Sequence, residues 1–254
     1  VLTEAQRNEF WVEGYLVLPA TFTADEVKAM DAAFRRLEAR AQGLEAPALV
    51  EGSLFVVERR SEAPLRIERI VWCGGAEPEL GTIGRSPKLT VPVSQLLGGP
   101  EMDQLINQAH IKNPGDGVSF HFHQDSYHRR YGTELFDDVN GRGSFVQTLT
   151  AVDPMTPENG GLWVVPRSHV TGHIPTPDGR LPDGTFNPAD AVPLQLAAGD
   201  TVLFGAFTVH GSGANSGSTP RRVFINGFCC PGANRREYPG AGTGLRVSAL
   251  PRAA

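Results

Sequence analysis

Phe120-His121-Phe122-His123-Gln124-Asp125-Ser126-Tyr127-His128 alternates aromatic and polar residues, the pattern of a strand with two different faces. On a side-chain period of two, His123 and Asp125 point to the same side, about 6–7 Å apart along the strand. An imidazole and a carboxylate so placed can grip one metal ion from two directions. A third donor must then come from elsewhere, and His210 is the best candidate. Two His nitrogens and one carboxylate oxygen on one face of a metal suit non-haem Fe(II), leaving the opposite positions open for substrate and oxygen. The expectation is an iron-dependent oxygenase.

An H-x-D triplet in a chain with 7 histidines is a weak signal taken alone. His121 also lies two residues from His123, and a His121–His123 pair would suit zinc or copper as well as iron. The wider context favours His123 with Asp125. The apolar run Thr201-Val202-Leu203-Phe204-Gly205-Ala206-Phe207-Thr208-Val209 reads as a strand ending in His210 at its polar exit. Gly211-Ser212-Gly213 follows, where backbone can approach a ligand closely. In isolation His210 reads more readily as a satisfied surface or core histidine. Arg221 shifts that balance. It follows the turn Asn215-Ser216-Gly217-Ser218-Thr219-Pro220, and a hairpin of that length returns it beside the metal. A guanidinium there can take a carboxylate in bidentate fashion, as a dicarboxylate co-substrate requires. Arg222 is the rival, but adjacent strand residues face opposite sides and one alone can serve.

Composition sets the frame. The 254 residues suffice for one large domain, and 40% hydrophobic with 20% charged residues describe an ordinary globular protein. The 29 Gly and 20 Pro are spread throughout, favouring many short strands joined by tight turns. A net charge of −5 argues against nucleic acid as the main partner. No apolar run reaches the roughly 18–20 residues of a membrane span, and the N-terminal residues lack a signal-peptide pattern. Cys73, Cys229 and Cys230 give no disulfide framework and fit a reducing cytoplasm.

Along the chain, Thr3 with Gln6 reads as a capping box, and Gly14 as the end of that helix. Tyr15 to Pro19 is a short strand. Thr23-Ala24-Asp25-Glu26 opens a helix running to about Ala41, with Val27, Met30, Ala33, Phe34 and Leu37 at helical spacing. Leu54–Val57 and Ile67–Trp72 read as strands, and Ser86–Leu97 as a helix stopped by Gly98-Gly99-Pro100. Arg59 and Arg60 read as solvated. From Leu105 the character is strand after strand: Leu105–Lys112, the opening stretch, Ser144–Val152, Leu162–Pro166, Val192–Leu196, Thr201–Phe207 and Arg222–Cys229. Two long polar loops interrupt them, Arg129–Arg142 and Gly172–Ala191. The first is long enough to suspect a lid. With no repeat or linker, residues 1–254 read as a single domain, with 1–100 as helical and strand support and 101–232 as the β core.

These motifs together resemble the phytanoyl-CoA dioxygenase family of Fe(II)- and 2-oxoglutarate-dependent oxygenases. The resemblance rests on the opening helix with Gly14-Tyr15-Leu16-Val17-Leu18-Pro19, on His123-Gln124-Asp125, and on Glu158-Asn159-Gly160-Gly161-Leu162 leading to Pro166-Arg167-Ser168-His169. It continues through Gly199-Asp200-Thr201-Val202-Leu203-Phe204, His210-Gly211-Ser212 and Arg221, in the family's order over nearly the whole chain. The family usually shows Pro-Gly-Ser-His where this chain has Arg167. The resemblance implies a mainly β fold with flanking helices, the double-stranded β-helix, a jelly-roll or cupin-like barrel. It implies Fe(II), 2-oxoglutarate and O2 as cofactor and co-substrates. His123, Asp125 and His210 would ligate iron, and Arg221 would hold the distal carboxylate of 2-oxoglutarate. Ser212 and Lys112 would assist, with Gln147 as a cavity residue and His169 as structural. Because position 125 carries a carboxylate rather than Gly or Ala, no place is left for halide, and hydroxylation is expected over halogenation.

Tyr127, His128, Arg129 and Arg130 leave the H-x-D stretch into the first long loop, and with Arg167 they could receive a small polar or anionic substrate. The other reading is loop cations facing solvent. Two rival functions remain: a cupin-type metalloenzyme without 2-oxoglutarate, and a non-catalytic ligand-binding barrel.

Overall fold

The computed structural model describes residues 1–61 and 63–249; residues 250–254 of the expected domain span lie outside them. Among the described residues, thirteen strands run in the order β1 (Tyr15–Leu18), β2 (Ala48–Val50), β3 (Ser53–Glu58), β4 (Arg66–Val71), β5 (Glu101–Lys112), β6 (Phe120–His123), β7 (Phe145–Ala151), β8 (Trp163–Val164), β9 (Val192–Pro193), β10 (Thr201–Gly205), β11 (His210–Ser212), β12 (Arg221–Cys229) and β13 (Leu245–Ser248). A nine-stranded sheet has the order β1-β10-β7-β12-β5-β4-β3-β2, with β13 added to β5. A four-stranded sheet has the order β6-β11-β8-β9, and every pairing in both sheets is antiparallel. The N-terminal hundred residues supply β1 to β4 of the large sheet.

Alternation along the strands of the large sheet separates two environments. On β12, Phe224 packs outward in a cluster with Met30, Phe34, Leu37, Phe55 and Ile111. Its neighbours Val223 and Ile225 face an internal cavity between the sheets. The outer cluster is covered by α2 (Ala24–Ala41), opened by a Thr23/Glu26 capping box. Met30, Ala33, Phe34 and Leu37 of α2 are fully buried. Each large apolar side chain so buried contributes roughly 1.5–3 kcal/mol. The same alternation turns Arg222 toward α2, where its guanidinium meets Asp31 at 2.6 Å, Asp153 at 2.7 Å and Glu38 at 3.8 Å. Arg221 is thereby left on the cavity side.

Helix α1 (Glu4–Glu13) has the Thr3/Gln6 capping box and ends at Gly14, whose φ of 85° is the left-handed conformation. Helices α3 (Pro78–Gly84) and α4 (Pro87–Leu97) follow β4, and α4 ends at Gly98 as expected. Four strands differ from expectation. The alternating stretch stops being a strand at His123, and Asp125–His128 forms a one-turn helix, α5. The run from Thr201 breaks after Gly205, and His210 opens a separate strand in the small sheet. β8 and β9 are two residues each, shorter than the expected 162–166 and 192–196.

Candidate metal centre

His123 ends β6, His210 begins β11, and the two strands pair with these residues directly opposite. Their rings lie 4.4 Å apart, centre to centre. Each ring is oriented from behind by backbone. His123 Nδ1 is 2.6 Å from the His121 carbonyl, and His210 Nδ1 is 2.9 Å from the Thr208 carbonyl. A carbonyl accepts only from N–H, so both Nδ1 atoms carry the hydrogen and both Nε2 lone pairs face the cavity. Asp125, at the first position of α5, completes a group whose donor atoms all lie within 4.8 Å of one another. The chain reversal at Gln124 therefore replaces the period-two strand as the device that aligns His123 with Asp125. His121 is exposed and stands outside the group.

The donor set fits a divalent cation on two grounds. Asp125 is 3% exposed, and its Oδ2 is buried with no hydrogen-bond partner. A buried carboxylate oxygen left unpaired costs free energy unless a ligand takes it. Burial pushes the His123 imidazole down to about 3, with His210 adding to the shift, so the ring is neutral, as ligation needs. Burial alone would raise Asp125, yet the nearby His210 and Arg129 hold it below the usual carboxylate range. Two imidazole nitrogens and one carboxylate suit Fe(II) with positions left open.

Beside the triad, Arg221 opens β12 directly opposite Lys112 at the end of β5. Arg221 is 3% exposed and Lys112 fully buried. Both aim at one backbone oxygen: Gly160 O accepts from Arg221 Nε at 3.1 Å, from Nη2 at 2.6 Å and from Lys112 Nζ at 3.2 Å. A carbonyl has two lone pairs, so three donors exceed its capacity. Gly160 has φ 78°, and a Cβ there would stand 2.8 Å from Gly213 O and 3.0 Å from Lys112 Cδ, so the turn admits glycine alone. Lys112 Nζ also donates to Ser212 Oγ at 2.7 Å. Burial, reinforced by Arg221, pulls Lys112 down to about 6, and burial pulls Arg221 to about 10.

The cavity has a volume of about 270 Å³ and takes in His123, Asp125, His210, Ser212, Arg221 and Gln147. Of the residues expected at the substrate, His128 and Arg129 line it. Tyr127, Arg130 and Arg167 do not. Tyr127 is turned toward the second long loop, its hydroxyl 3.4 Å from Pro177 O. Arg130 is exposed with a φ of 63°. Arg167 is held by Glu13 at 2.9 Å on the outside. The turn it occupies is structural: Ser168 Oγ accepts from Val209 N, and His169 Nε2 contacts the Trp11 carbonyl. These bonds fix the segment leading into His210. Sequence reading missed Leu54, Val56, Arg69, Gln108, His110, Arg236 and Tyr238, all on the cavity wall. Several of them are the inward positions of β3, β4 and β5, a signal readable only once the sheet order is known.

Known proteins share this fold. The epimerase SnoN in complex with Fe3+, alpha ketoglutarate and nogalamycin RO superposes with a TM-score of 0.70 at 22% identity, over 90% of this chain and 83% of its own. EvdO2 from Micromonospora carbonacea var. aurantiaca, complexed with 2-oxoglutarate, gives 0.65 at 24% identity, over 90% of this chain and 91% of its own. The shared fold is the double-stranded β-helix. Among curated relatives, the ectoine dioxygenase of Sphingopyxis alaskensis is 27% identical over 261 residues, 94% of this chain and 79% of that protein. Matches to dioxygenases of Alternaria alternata, Penicillium brasilianum and Aspergillus aculeatus span only 27%, 47% and 38% of those proteins. The fold is thus one shared with proteins bound to Fe3+ and alpha ketoglutarate, or to 2-oxoglutarate. The model of the phytanoyl-CoA dioxygenase family matches residues 10–223, and the chain belongs to that family.

Proposed function

We propose that this chain hydroxylates an unactivated C–H bond of a small, polar or anionic molecule, with His123, Asp125 and His210 as the iron ligands. Arg221, Lys112 and Ser212 hold the distal carboxylate of 2-oxoglutarate. The observation that carries this reading is the pairing, in one cavity, of a converging His-Asp-His group with the buried guanidinium of Arg221, whose Nε and Nη2 share one acceptor, the Gly160 carbonyl. When bound, iron and 2-oxoglutarate supply the oxidative chemistry, with O2 consumed and succinate and CO2 released.

The chain's own part is positioning. The His121 and Thr208 carbonyls fix the tautomer and tilt of the two ligand rings, a support that raises ligand basicity. Arg221 and Lys112 exchange the Gly160 carbonyl for a carboxylate, which a rigid fork recognises by shape as well as charge. Leu149, Leu162, Phe204, Val223 and Ile225 line the cavity with apolar surface, excluding water from the reacting carbon. The cavity of about 270 Å³ lies below the roughly 300–1,000 Å³ common for ligand sites, which favours a small substrate once the diacid is seated. The alignment with an ectoine dioxygenase, over 94% of this chain, supports the same size class. No described helix is long and apolar enough to cross a membrane. Three buried thiols without disulfides support a cytoplasmic setting.

Anaerobic titration of the protein with Fe(II) and then 2-oxoglutarate tests the assignment. The visible charge-transfer band of the chelate is expected with the wild type and lost in His210→Ala and Asp125→Ala. A band of wild-type intensity in either variant refutes the ligand set, and its absence from the wild type refutes the co-substrate.

A further inference from the structure

One part of the cavity wall carries positive charge that neither the metal group nor the diacid clamp uses. Arg129 follows α5 directly, its N–H bonded to the Asp125 carbonyl at 3.0 Å. The residue is 6% exposed, and its Nε and Nη1 are buried with no hydrogen-bond partner. Among the described residues it makes no ion pair. Its guanidinium carbon lies 5.0 Å from the centre of the Phe145 ring and 5.1 Å from that of Tyr238. Arg236 lies 4.8 Å from the same Tyr238 ring and donates from Nη1 to the His128 carbonyl. Arg69, the third arginine here, is already paired with Glu68 at 2.5 Å.

Charge accounting makes the excess plain. Asp125 is the sole carboxylate on the cavity wall among the described residues. A ferrous ion, Asp125, Arg221 and the Lys112 ammonium leave three positive charges, and the two carboxylates of 2-oxoglutarate cancel two of them. Arg129 and Arg236 then stand over without a counter-charge. An aromatic ring offers a guanidinium less than burial takes from it, so Phe145 and Tyr238 do not by themselves account for an unpaired buried cation. The two rings hold the guanidinium between them, and its Nε and Nη1 are left for a ligand.

We propose that Arg129 and Arg236 form the headgroup site of the substrate, binding the oxyanion of a small amphiphilic molecule, a carboxylate or a phosphonate. Its carbon chain lies against the apolar part of the lining, Leu54, Val56 and Val71. Bidentate guanidinium recognition of a planar or tetrahedral oxyanion is the chemistry the fork provides. This assignment rests on the iron and 2-oxoglutarate reading of the centre.

The test uses the anaerobic Fe(II)–2-oxoglutarate complex and four probes of one chain length: butyrate, propylphosphonate and their neutral counterparts butyramide and butanol. Binding is read as a shift of the chelate band, and independently by calorimetry. Butyrate, propylphosphonate or both are expected to bind at least about tenfold tighter than the neutral probes. Which of the two binds tighter separates a carboxylate from a phosphonate head. Arg129→Gln should weaken the bound acid about 30-fold or more, with Arg129→Lys in between. The 2-oxoglutarate affinity of both variants should stay near wild type. The metal-free Arg129→Met protein should melt no lower than wild type, because an unpaired buried charge has been removed. Neutral probes binding as tightly as the acids overturns the inference, as does an Arg129→Gln variant that keeps acid affinity. A fall in melting temperature for Arg129→Met with unchanged acid binding assigns Arg129 a packing role and also overturns it. Loss of the chelate band from the wild type itself marks failure of the underlying iron–diacid reading instead.

Discussion

Replacing Arg221 with Met removes the guanidinium while keeping most of the side-chain volume, and its consequence follows from the geometry at Gly160. Arg221 is 3% exposed, and its Nε and Nη2 both reach the Gly160 oxygen, at 3.1 and 2.6 Å. Lys112 Nζ claims the same oxygen at 3.2 Å, so the Arg221 N–H groups lack acceptors of their own. An incoming carboxylate supplies them. Truncating one partner of a buried, hydrogen-bonded charge pair costs about 2–5 kcal/mol. At about 1.4 kcal/mol per tenfold, that is a loss of roughly 30-fold to several thousand-fold in 2-oxoglutarate affinity. Arg221→Lys restores the charge without the planar fork and should fall between. The assay is anaerobic titration of the Fe(II)-loaded protein with 2-oxoglutarate, read by the chelate band, beside the KM for 2-oxoglutarate in succinate release. Iron affinity, measured separately, should not change. A diacid affinity in Arg221→Met within about threefold of wild type, in a folded protein, refutes the clamp.

Lys112 makes diacid binding pH-dependent. Its folded pKa is about 6, and a dianion beside Nζ favours the ammonium, so binding takes up a proton above that pH. Affinity should fall about tenfold per pH unit between roughly pH 6.5 and 8.5, and Lys112→Met should flatten the profile, as isothermal titration can record. For stability, the unfolded lysine binds its proton up to about 10.4 while the folded one releases it near 6. Its contribution therefore makes the native state more stable as pH rises through that window, and denaturant midpoints of Lys112→Met should lack this slope. Arg222→Met should have the opposite phenotype to Arg221→Met. It strands Asp153, Asp31 and Glu38, so stability should drop by about 3 kcal/mol in urea unfolding, with 2-oxoglutarate affinity retained in the folded fraction. Arg167 has a left-handed φ of 64° and faces Glu13. Arg167→Gly should relieve about 1 kcal/mol of backbone strain, offset in part by the lost ion pair, and leave turnover unchanged; a marked fall in turnover would return Arg167 to the site.

Local signals in the sequence were decisive where local forces set the structure. The Thr3 and Thr23 capping boxes, the Gly14 and Gly98 stops and the apolar stripe of α2 all stand where the chain alone places them. The alternation that sends Arg221 inward and Arg222 to α2 was also readable, since it depends only on the pleat. The break after His123 was not. Its alternation continues through Tyr127, but the turn is held by distant groups: Ser126 N donates to Ala206 O. The break before His210 was hidden likewise inside an apolar run, where Thr208 Oγ1 donates to Gly14 O at 2.6 Å. Both errors left the three proposed ligands together, because each turn delivers its residue to the same point. The substrate wall was least legible. Arg69, His110 and Arg236 meet there from segments far apart in sequence, and only sheet order brings them together.

Gln124 sits between two of the proposed ligands, and its side chain points away from them. Its amide nitrogen donates to Gly172 O at 2.9 Å and to Phe207 O at 2.7 Å, and its oxygen accepts from Ile174 N at 2.8 Å. One amide thus pins the root of the long 172–191 segment and the bend before His210 to the peptide that carries His123 and Asp125. With its base fastened there, the remainder of that segment can be lengthened, shortened or rewritten while the donor atoms hold their spacing. A scaffold so arranged can change clientele by editing a surface excursion and leave the redox centre untouched.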